Sequence, residues 1–484
     1  MIALINLRGG SNFNSLVLGT AITALLISSG AALGEENIRS ACGYLYIAQI
    51  VSYFAIIYSR YDGDTFHLFK PSVTTFSYIG LSVAFGALSF NSGSVLKQSW
   101  YITFLLWNEF IYVYFAVSLA LFGCFLIALM CDSDVAMVPA GRRVRPILSV
   151  PFIGIILVAL VCSLFVDISY VAIARTVLAL ALFVHFFECR SRLRWLVVAM
   201  VVLLFAAETP DDKRNAIFLI LPCLLMEFSS HRIQFRLRTV LISAILMTSC
   251  LYLIAAMSII RGYGNYGPVS FFQAIYLVPD YVSSPGSLAM LANNLEVNYI
   301  FFVLHDAVHR SIFSDSDSLQ YGWTYIRVLF VGWLDSSQRP DSIIESYTKA
   351  IDPEFRAIGG SYPPTAIGEV FWNFGVMGIF ALPAILYALD KLYKQRLVAF
   401  SKAGLAGKVF SMTYIQFTVL YLRGSGLDLF LAYLLVAIAV VAAVIFPLST
   451  LLKYEIDNTF GDDVRYRGLG VAGVGRRTQV RTSI

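Results

Sequence analysis

The sequence predicts an all-α polytopic membrane protein with about twelve transmembrane helices. Of its 484 residues, 58% are hydrophobic and 13% are charged, whereas an ordinary soluble domain has roughly 45–50% and 25%. Apolar runs long enough to cross a bilayer recur along the chain, and basic residues gather in the short connections between these runs. One long hydrophilic segment, residues 261–369, separates the ninth run from the tenth.

The composition also excludes several classes of function. The formal net charge of +5 lies mainly in short connections, where membrane topology accounts for it, so no nucleic-acid partner is expected. The seven cysteines all lie in or beside apolar runs, and the long hydrophilic segment has none. This pattern indicates neither a disulfide framework nor a zinc site, and we expect no metal and no cofactor.

The apolar runs define the predicted spans. Several are shorter than a bilayer requires. The seventh and eighth are the shortest, because charged residues crowd between them, and we predict that they form a hairpin. The twelve spans are Ser15–Leu33, Ala41–Ser59, Val73–Phe90, Phe110–Met130, Ile147–Val166, Tyr170–Phe187, Trp195–Ala207, Ala216–Phe228, Thr239–Ile260, Phe371–Leu389, Val409–Leu422 and Leu429–Leu452.

The basic clusters set the predicted orientation. All of them fall on one side of the twelve-span arrangement, which a missed or an extra span would disrupt, and the positive-inside rule makes that side cytoplasmic. Both termini are then cytoplasmic, and the tail, residues 453–484, is predicted to be disordered. The clusters are Arg142, Arg143 and Arg145; Arg190, Arg192 and Arg194; Arg232, Arg236 and Arg238; and Lys391, Lys394, Arg396, Lys402 and Lys408.

The chain therefore divides into membrane and surface parts. Residues 1–260 contain the first nine spans, residues 261–369 form an outward-facing, partly helical loop, and residues 370–452 contain the last three spans. The loop is too long for a simple connection, and its recurring aromatic residues argue against disorder. Within it, Leu295–Arg310 has the pattern of an amphipathic helix, and Phe271–Val278 is apolar enough to lie against the membrane surface.

Several arginines are predicted to lie near the outer ends of the spans, where charge is costly and usually functional. A guanidinium group can pair bidentately with phosphate oxygens, so these positions suit a lipid phosphate or pyrophosphate. The alternative is that they snorkel to the interface or form structural ion pairs. Arg175 lies about five residues inside the sixth span, Arg214 begins the eighth, Arg261 ends the ninth, and Arg423 flanks the last turn with Asp428.

Two further patterns carry little information on their own. Asp132–Asp134 and Asp315–Asp317 match the Asp-x-Asp pattern that holds a cation and a diphosphate in nucleotide-sugar transferases, but such short patterns are frequent by chance and we interpret both as solvated turns. His305 and His309 share a helix face and could bind a metal, yet no third ligand is near in sequence, so we interpret them as structural.

Two stretches around the loop resemble a known family. Tyr321–Tyr325, followed by an apolar stretch and then Arg339–Pro340, is similar to the G-x-sy…iPr…KP stretch of the bacterial oligosaccharide repeat-unit polymerases, the Wzy-type O-antigen polymerases. Gly359–Pro364, continuing into Ile367–Gly375, resembles their GGS…P…GE-y-nfG signature at a loop-to-helix junction.

The resemblance implies a GT-C-like fold in the bacterial inner membrane, with the active site facing the periplasm. It implies transfer of a growing glycan from undecaprenyl pyrophosphate to the non-reducing end of an incoming lipid-linked repeat unit. A Wzz-type chain-length regulator and a flippase are the implied partners. Lys213-Arg214 and Arg423–Ser425 also resemble positions of the family.

Such a transfer requires cations at the departing phosphates and a base near the acceptor hydroxyl. The residues predicted to bind pyrophosphate are Arg214, Arg261 and Arg423, with Arg175 behind them. The predicted bases, in order of preference, are Glu369, His305, Glu296 and Asp335. The predicted sugar contacts are Arg327, Arg339, Tyr321, Trp323 and Tyr325.

Alternatives stay open for these residues and for the whole chain. Glu369 also suits a helix start, where the helix dipole favours a carboxylate, and the aromatic residues also suit packing of the loop onto the bilayer. An O-antigen ligase would share the donor and the outward site. A lipid-linked oligosaccharide flippase would instead keep charges along a central path at all depths.

Overall fold

The computed structural model shows a helical membrane protein. It describes residues 10–59, 70–91, 107–130, 150–165, 169–189, 191–208, 218–229, 269–284, 297–313, 321–326, 341–402 and 404–450, with a few positions between 241 and 260. In this part of the chain there is no strand. Six of the described helices are long and apolar enough to cross a membrane: Phe13–Tyr58, Pro71–Phe90, Phe110–Met130, Val171–Glu188, Thr365–Leu397 and Leu427–Thr450.

The helices are numbered here in chain order. The first half contains α1 (Gly10–Tyr58), α2 (Pro71–Thr74, a π-helical turn Thr75–Ile79, and Gly80–Asn91), α3 (Phe110–Met130), α4 (Val150–Leu164), α5 (Ser169–Glu188), α6 (Arg194–Glu208) and α7 (Ile220–Ser229). The second half contains α8 (Phe271–Ser283), α9 (Val297–Phe313), α10 (Ile343–Ile351), α11 (Pro353–Ala357), α12 (Thr365–Phe374), α13 (Gly378–Lys402), α14 (Leu405–Leu420) and α15 (Leu427–Val440).

Helix α1 is a hairpin of two arms. Gly34 has φ 70° and ψ 174°, a conformation that is essentially restricted to glycine. The Thr23 and Tyr53 hydroxyls are hydrogen-bonded at 2.6 Å, although 30 residues of straight helix would span about 45 Å. The chain therefore reverses at Gly34, and the first two predicted spans, Ser15–Leu33 and Ala41–Ser59, overlap the two arms, residues 10–33 and 35–58.

Two ion pairs identify one end of the helices, which we call the basic end. They join the end of α5 to the start of α14, and the start of α6 to the end of α7. Helices α5 and α14 are therefore antiparallel, and they pack directly on each other. The tip between α14 and α15 lies at the opposite end. The pairs are Glu188–Lys408 and Arg194–Glu227, the latter with an N–O distance of 2.9 Å.

Helix α9 is enclosed by α2, α3 and α12. The predicted amphipathic helix is present at this position, but both of its faces are covered, since residues all around it, such as Phe302, Leu304, His305 and Ala307, are buried. Gly86 makes the close packing possible, because a Cβ at Gly86 would lie 2.5 Å from Phe301 Cβ. Helix α9 is thus a structural member of the bundle next to the longer apolar helices.

Helix α8 presents aromatic side chains on one face. Tyr281 is buried against the remainder of its local cluster, while Phe272 and Tyr276 are each 82% exposed. The predicted contact of this stretch with the membrane surface stays a prediction. The tail, residues 453–484, and most of the ninth predicted span lie outside the described residues.

Candidate active site

Glu369 lies in a short, interrupted helix. Helix α12 begins at Thr365, whose φ is 65°, a left-handed conformation that costs a β-branched residue about 1–3 kcal/mol. The helix stops at Gly375, whose φ is 59°, and after one 3-10 turn the chain continues as α13. Such strain persists only where the surrounding structure enforces it, and it concentrates at functional sites.

The tip between α14 and α15 is also irregular, and it contacts the start of α12. A π-helical turn, Tyr421–Ser425, contains Gly424 with φ 126°. A Cβ at Gly424 would lie 2.8 Å from the Thr365 backbone nitrogen, so only glycine allows this approach. The two interrupted helices therefore meet directly at the end opposite to the basic end.

The carboxyl of Glu369 lies at this meeting point and is fully buried. Its Oε1 accepts a hydrogen bond from the Leu427 backbone N–H at 2.9 Å. Leu427 is the first residue of α15, so the positive end of that helix dipole faces the carboxyl. The sequence led us to expect that the dipole of the helix containing Glu369 favours this carboxyl. The helix whose N-terminus faces the carboxyl is instead α15.

A second buried carboxyl, Asp428, lies in the same cluster. Its Oδ2 accepts from the Ile343 N–H at 3.1 Å, and its Oδ1 accepts from the Leu429 N–H at 2.8 Å. Asp428 thereby joins the start of α10 to the start of α15. The sequence indicated a charge at this turn, but its role in joining α10 to α15 could not be predicted, because Ile343 is 85 residues away.

Tyr325, within the segment Tyr321–Ile326, lies beside the Glu369 side chain. The Tyr325 phenol interacts with the carboxyl, although no described donor reaches Oε2 with good hydrogen-bond geometry. Burial, and secondarily the Glu369 carboxyl, raise the pKa of Tyr325 above its ordinary value. The phenol therefore keeps its proton and can donate a hydrogen bond to the Glu369 carboxyl.

The three predicted aromatic sugar contacts divide into two groups. Tyr321 and Trp323 are 66% and 60% exposed, so their rings are accessible to a ligand. Tyr325 is instead packed toward Phe374, with ring centroids 6.3 Å apart. The structure thus separates two surface rings from one ring that contacts the candidate base.

Two of the four predicted phosphate-binding arginines lie at the same level of the bundle as the α14–α15 tip. Arg175 precedes Glu188 by 13 residues and Tyr421 follows Lys408 by 13 residues, so each lies about 20 Å from the basic-end ion pair. Arg175 is buried in α5. Arg423 lies in the tip itself, and its guanidinium is 5.7 Å from the Phe218 ring centroid, a distance typical of a cation–π contact.

His305 makes its contacts away from Glu369. Its Nδ1 lies 2.7 Å from the Phe301 carbonyl oxygen and its Nε2 lies 3.0 Å from the Tyr46 hydroxyl. A neutral ring with the proton on Nδ1 satisfies both contacts, donating to the carbonyl and accepting from Tyr46. Complete burial lowers the pKa of His305 to about 4. The neighbouring His309 stacks on Trp107, with centroids 3.8 Å apart.

An additional polar cluster, not predicted from sequence, joins α9 to α10. Asp306 pairs with Arg310 at 2.9 Å and lies 2.9 Å from the Tyr347 hydroxyl. Burial raises the pKa of Asp306, and Arg310 only partly offsets this effect. From sequence, an Asp–Arg pair four residues apart is typical of a solvated helix face, so the burial of Asp306 could not be inferred.

The remaining predicted site residues lie outside the described part of the chain: Glu296, Asp335, Arg214, Arg261, Arg327 and Arg339.

The arrangement offers a buried carboxyl, a protonated phenol beside it, two exposed aromatic rings in the same segment as that phenol, and arginines at the level of the α14–α15 tip. This set can take a proton from a hydroxyl and stabilise a departing anion. No family model, no curated protein and no solved structure matches this chain.

Proposed function

We propose that the protein is a membrane glycosyltransferase of the Wzy O-antigen polymerase type. It would join undecaprenyl-pyrophosphate-linked oligosaccharide repeat units into a surface polysaccharide. The observation that carries this proposal is the buried Glu369 carboxyl, which lies within the polymerase-like stretch and at the contact between two interrupted helices. Broken helices commonly form binding sites for polar ligands inside membranes.

The proposed topology has twelve crossings in a GT-C-like arrangement in the bacterial inner membrane, with both termini in the cytoplasm. The basic end is then cytoplasmic, and Glu369 faces the periplasm. The pairing of helix ends supports this scheme, since Glu188 meets Lys408 and Arg194 meets Glu227, as alternating crossings require.

In the proposed reaction, the non-reducing-end hydroxyl of the incoming unit attacks the anomeric carbon of the growing glycan. The hydroxyl proton passes to Glu369, and the bond between the anomeric carbon and the pyrophosphate oxygen breaks. Arg423 and Arg175 stabilise the undecaprenyl pyrophosphate that leaves, with Arg214 and Arg261 as further sequence-based candidates. Tyr321 and Trp323 stack on the acceptor sugar.

Deletion in the native host tests the function directly. A lipopolysaccharide gel should lose its ladder and retain a band with a single repeat unit, because the ligase and the flippase still operate. Loss of all O-antigen would instead indicate the ligase or flippase activity. An unchanged ladder would exclude this chain as the polymerase of that polymer.

A further inference from the structure

Three described hydrogen bonds join residues 321–326 to Asn373 on the adjacent helix α12. The Tyr321 N–H donates to the Asn373 carbonyl at 2.8 Å, and the Thr324 hydroxyl donates to Asn373 Oδ1 at 3.2 Å. Asn373 Nδ2 donates to the Tyr325 hydroxyl at 3.3 Å. Asn373 is therefore bonded to three of the six residues in this segment.

The same amide also contacts the residue that is covered. Asn373 Nδ2 lies 3.2 Å from the Glu369 backbone carbonyl, one helical turn earlier. This amide therefore donates to both the Tyr325 hydroxyl and the Glu369 backbone carbonyl, and it positions the phenol on the helix that carries the carboxyl. Asn373 is thus placed as a positioning residue, acting through Tyr325 rather than on a substrate.

The segment has two chemically different faces. Tyr321 and Trp323 point their rings to the surface, whereas Thr324 is only 7% exposed and Tyr325 interacts with Glu369. A ligand that stacks on Tyr321 and Trp323 would therefore contact the same six-residue segment that places Tyr325 beside Glu369.

The covered carboxyl cannot meet an acceptor hydroxyl in the described arrangement, since Glu369 is fully buried. A base must come within about 3 Å of the hydroxyl. On the other side of the carboxyl, Leu427 belongs to the α14–α15 tip, where Gly424 is packed tightly on Thr365. Tyr325 is instead joined to α12 through side-chain contacts with Asn373, Glu369 and Phe374, and it can leave only when these contacts break.

We propose that residues 321–326 form a cover over Glu369 that Asn373 holds closed, and that a sugar ring stacking on Tyr321 and Trp323 opens it. The ligand in this proposal rests on the proposed function; the role of Asn373 does not. Uncovering the base only when an acceptor is bound would keep water from competing for the donor glycan.

Thiol labelling of a Thr324→Cys chain tests the role of Asn373. In intact membranes, a membrane-impermeant maleimide should react slowly, because position 324 is buried. Adding Asn373→Ala should speed the reaction about tenfold or more, and Asn373→Asp, which also lacks the amide donor to the Tyr325 hydroxyl, should have a similar effect. An unchanged rate in both variants would overturn the proposal.

Two controls separate opening from misfolding. Ile358→Cys, at a position 81% exposed, should label at one rate with either residue at position 373. The Asn373→Ala chain without an added cysteine should label no faster than the parent. Fast labelling of native thiols in that chain would mean general unfolding, and the decision would then rest on Asn373→Asp.

The ligand is tested by comparing hosts that do and do not make repeat units. Supply of repeat units should speed labelling of Thr324→Cys several-fold, and the Tyr321→Ala, Trp323→Ala double variant should lose this increase. If Asn373→Ala speeds labelling but repeat units do not, carbohydrate is not what opens the cover. An unchanged ladder on deletion would reject the polymerase while leaving the labelling result for Asn373 intact.

Discussion

The Glu369 carboxyl and the Leu427 backbone N–H form a 2.9 Å hydrogen bond across 58 residues of sequence. This bond joins α12 to α15 near the two helix interruptions, which lie at Gly375 and Gly424. The other carboxyl oxygen, Oε2, has no well-oriented donor among the described groups, although the Tyr325 phenol interacts with this carboxyl.

Replacing Glu369 by Gln should abolish the O-antigen ladder while the protein remains in the membrane. Gln keeps an oxygen for the Leu427 N–H but cannot take a proton, and a lost general base costs roughly 10²–10⁴-fold in rate. Complementation of a deletion strain, followed by a lipopolysaccharide gel and an immunoblot, measures both outcomes. Glu354→Gln, at an exposed position of α11, is the matched control and should restore the ladder. Normal polymerisation by the Glu369→Gln protein would show that Glu369 is not the base.

Replacing Asp428 by Ala should destabilise the protein. The change removes the acceptor of the Ile343 N–H and of the Leu429 N–H, and each buried donor left without a partner costs about 1–3 kcal/mol. The Tm of the Asp428→Ala protein in detergent should fall clearly. The Tm of the Asp428→Asn protein, which retains one acceptor oxygen, should fall less. Asp280→Ala, on the exposed face of α8, should leave the Tm within error. Equal Tm values for Asp428→Ala and Asp280→Ala would contradict the proposed link between α10 and α15.

Replacing Gly34 by Ala should lower the Tm through backbone strain alone. No neighbour lies within 4 Å of the added Cβ, but φ 70° with ψ 174° costs a residue with a Cβ about 1–3 kcal/mol. Gly154→Ala is the matched control, since its Cβ would also meet nothing within 4 Å. Within helix α4 that change should be neutral or stabilising by up to about 1 kcal/mol. Equal Tm values for the two variants would contradict the reversal of the chain at Gly34.

Stability should fall as the pH is lowered from about 6.5 to about 4, with His305 as one contributor. Burial lowers the folded-state pKa of His305 to about 4, whereas an exposed imidazole titrates near 6.5. Between these values the unfolded chain binds a proton that the folded chain refuses, so the folded state loses about 3 kcal/mol in total. Above pH 6.5 both states are neutral and this contribution is fully retained.

His305→Gln isolates that contribution, because Gln can still accept from the Tyr46 hydroxyl but does not titrate. The measurement is the Tm of both proteins at several pH values between 4 and 7.5. The variant should show a shallower decline, and the difference in slope belongs to His305. Parallel curves would mean that His305 is not buried in its neutral form.

The helices themselves were predictable to different degrees. The predicted span Phe110–Met130 coincides with α3, because hydropathy is a property of consecutive residues. The helix over Leu295–Arg310 was also predicted, but its enclosure was not. In the sequence, His305 and Asp306 suggest a solvent-exposed polar face. In the structure both are buried, and they contact the distant residues Tyr46 and Tyr347.

The candidate site shows the same division. Glu369 was selected from sequence by its position in a polymerase-like stretch, and that role stays a prediction. Three contacts of the site could not be predicted from the sequence, because each one joins two segments that meet only after folding. They are the bond from Leu427 to Glu369, the bond from Ile343 to Asp428, and the bonds between Asn373 and residues 321–326.

The sequence by itself determined that this is a helical membrane protein, where most of its apolar helices begin and end, and which side of them is basic. These properties are sums over neighbouring residues, and the bilayer imposes them on any chain of this composition. Only the tertiary structure decided that α1 reverses at Gly34 and that the interruptions at Gly375 and Gly424 bring Glu369 to the N-terminus of α15. Those outcomes depend on backbone angles and on the packing of residues far apart in the chain, and hydropathy contains no information about either.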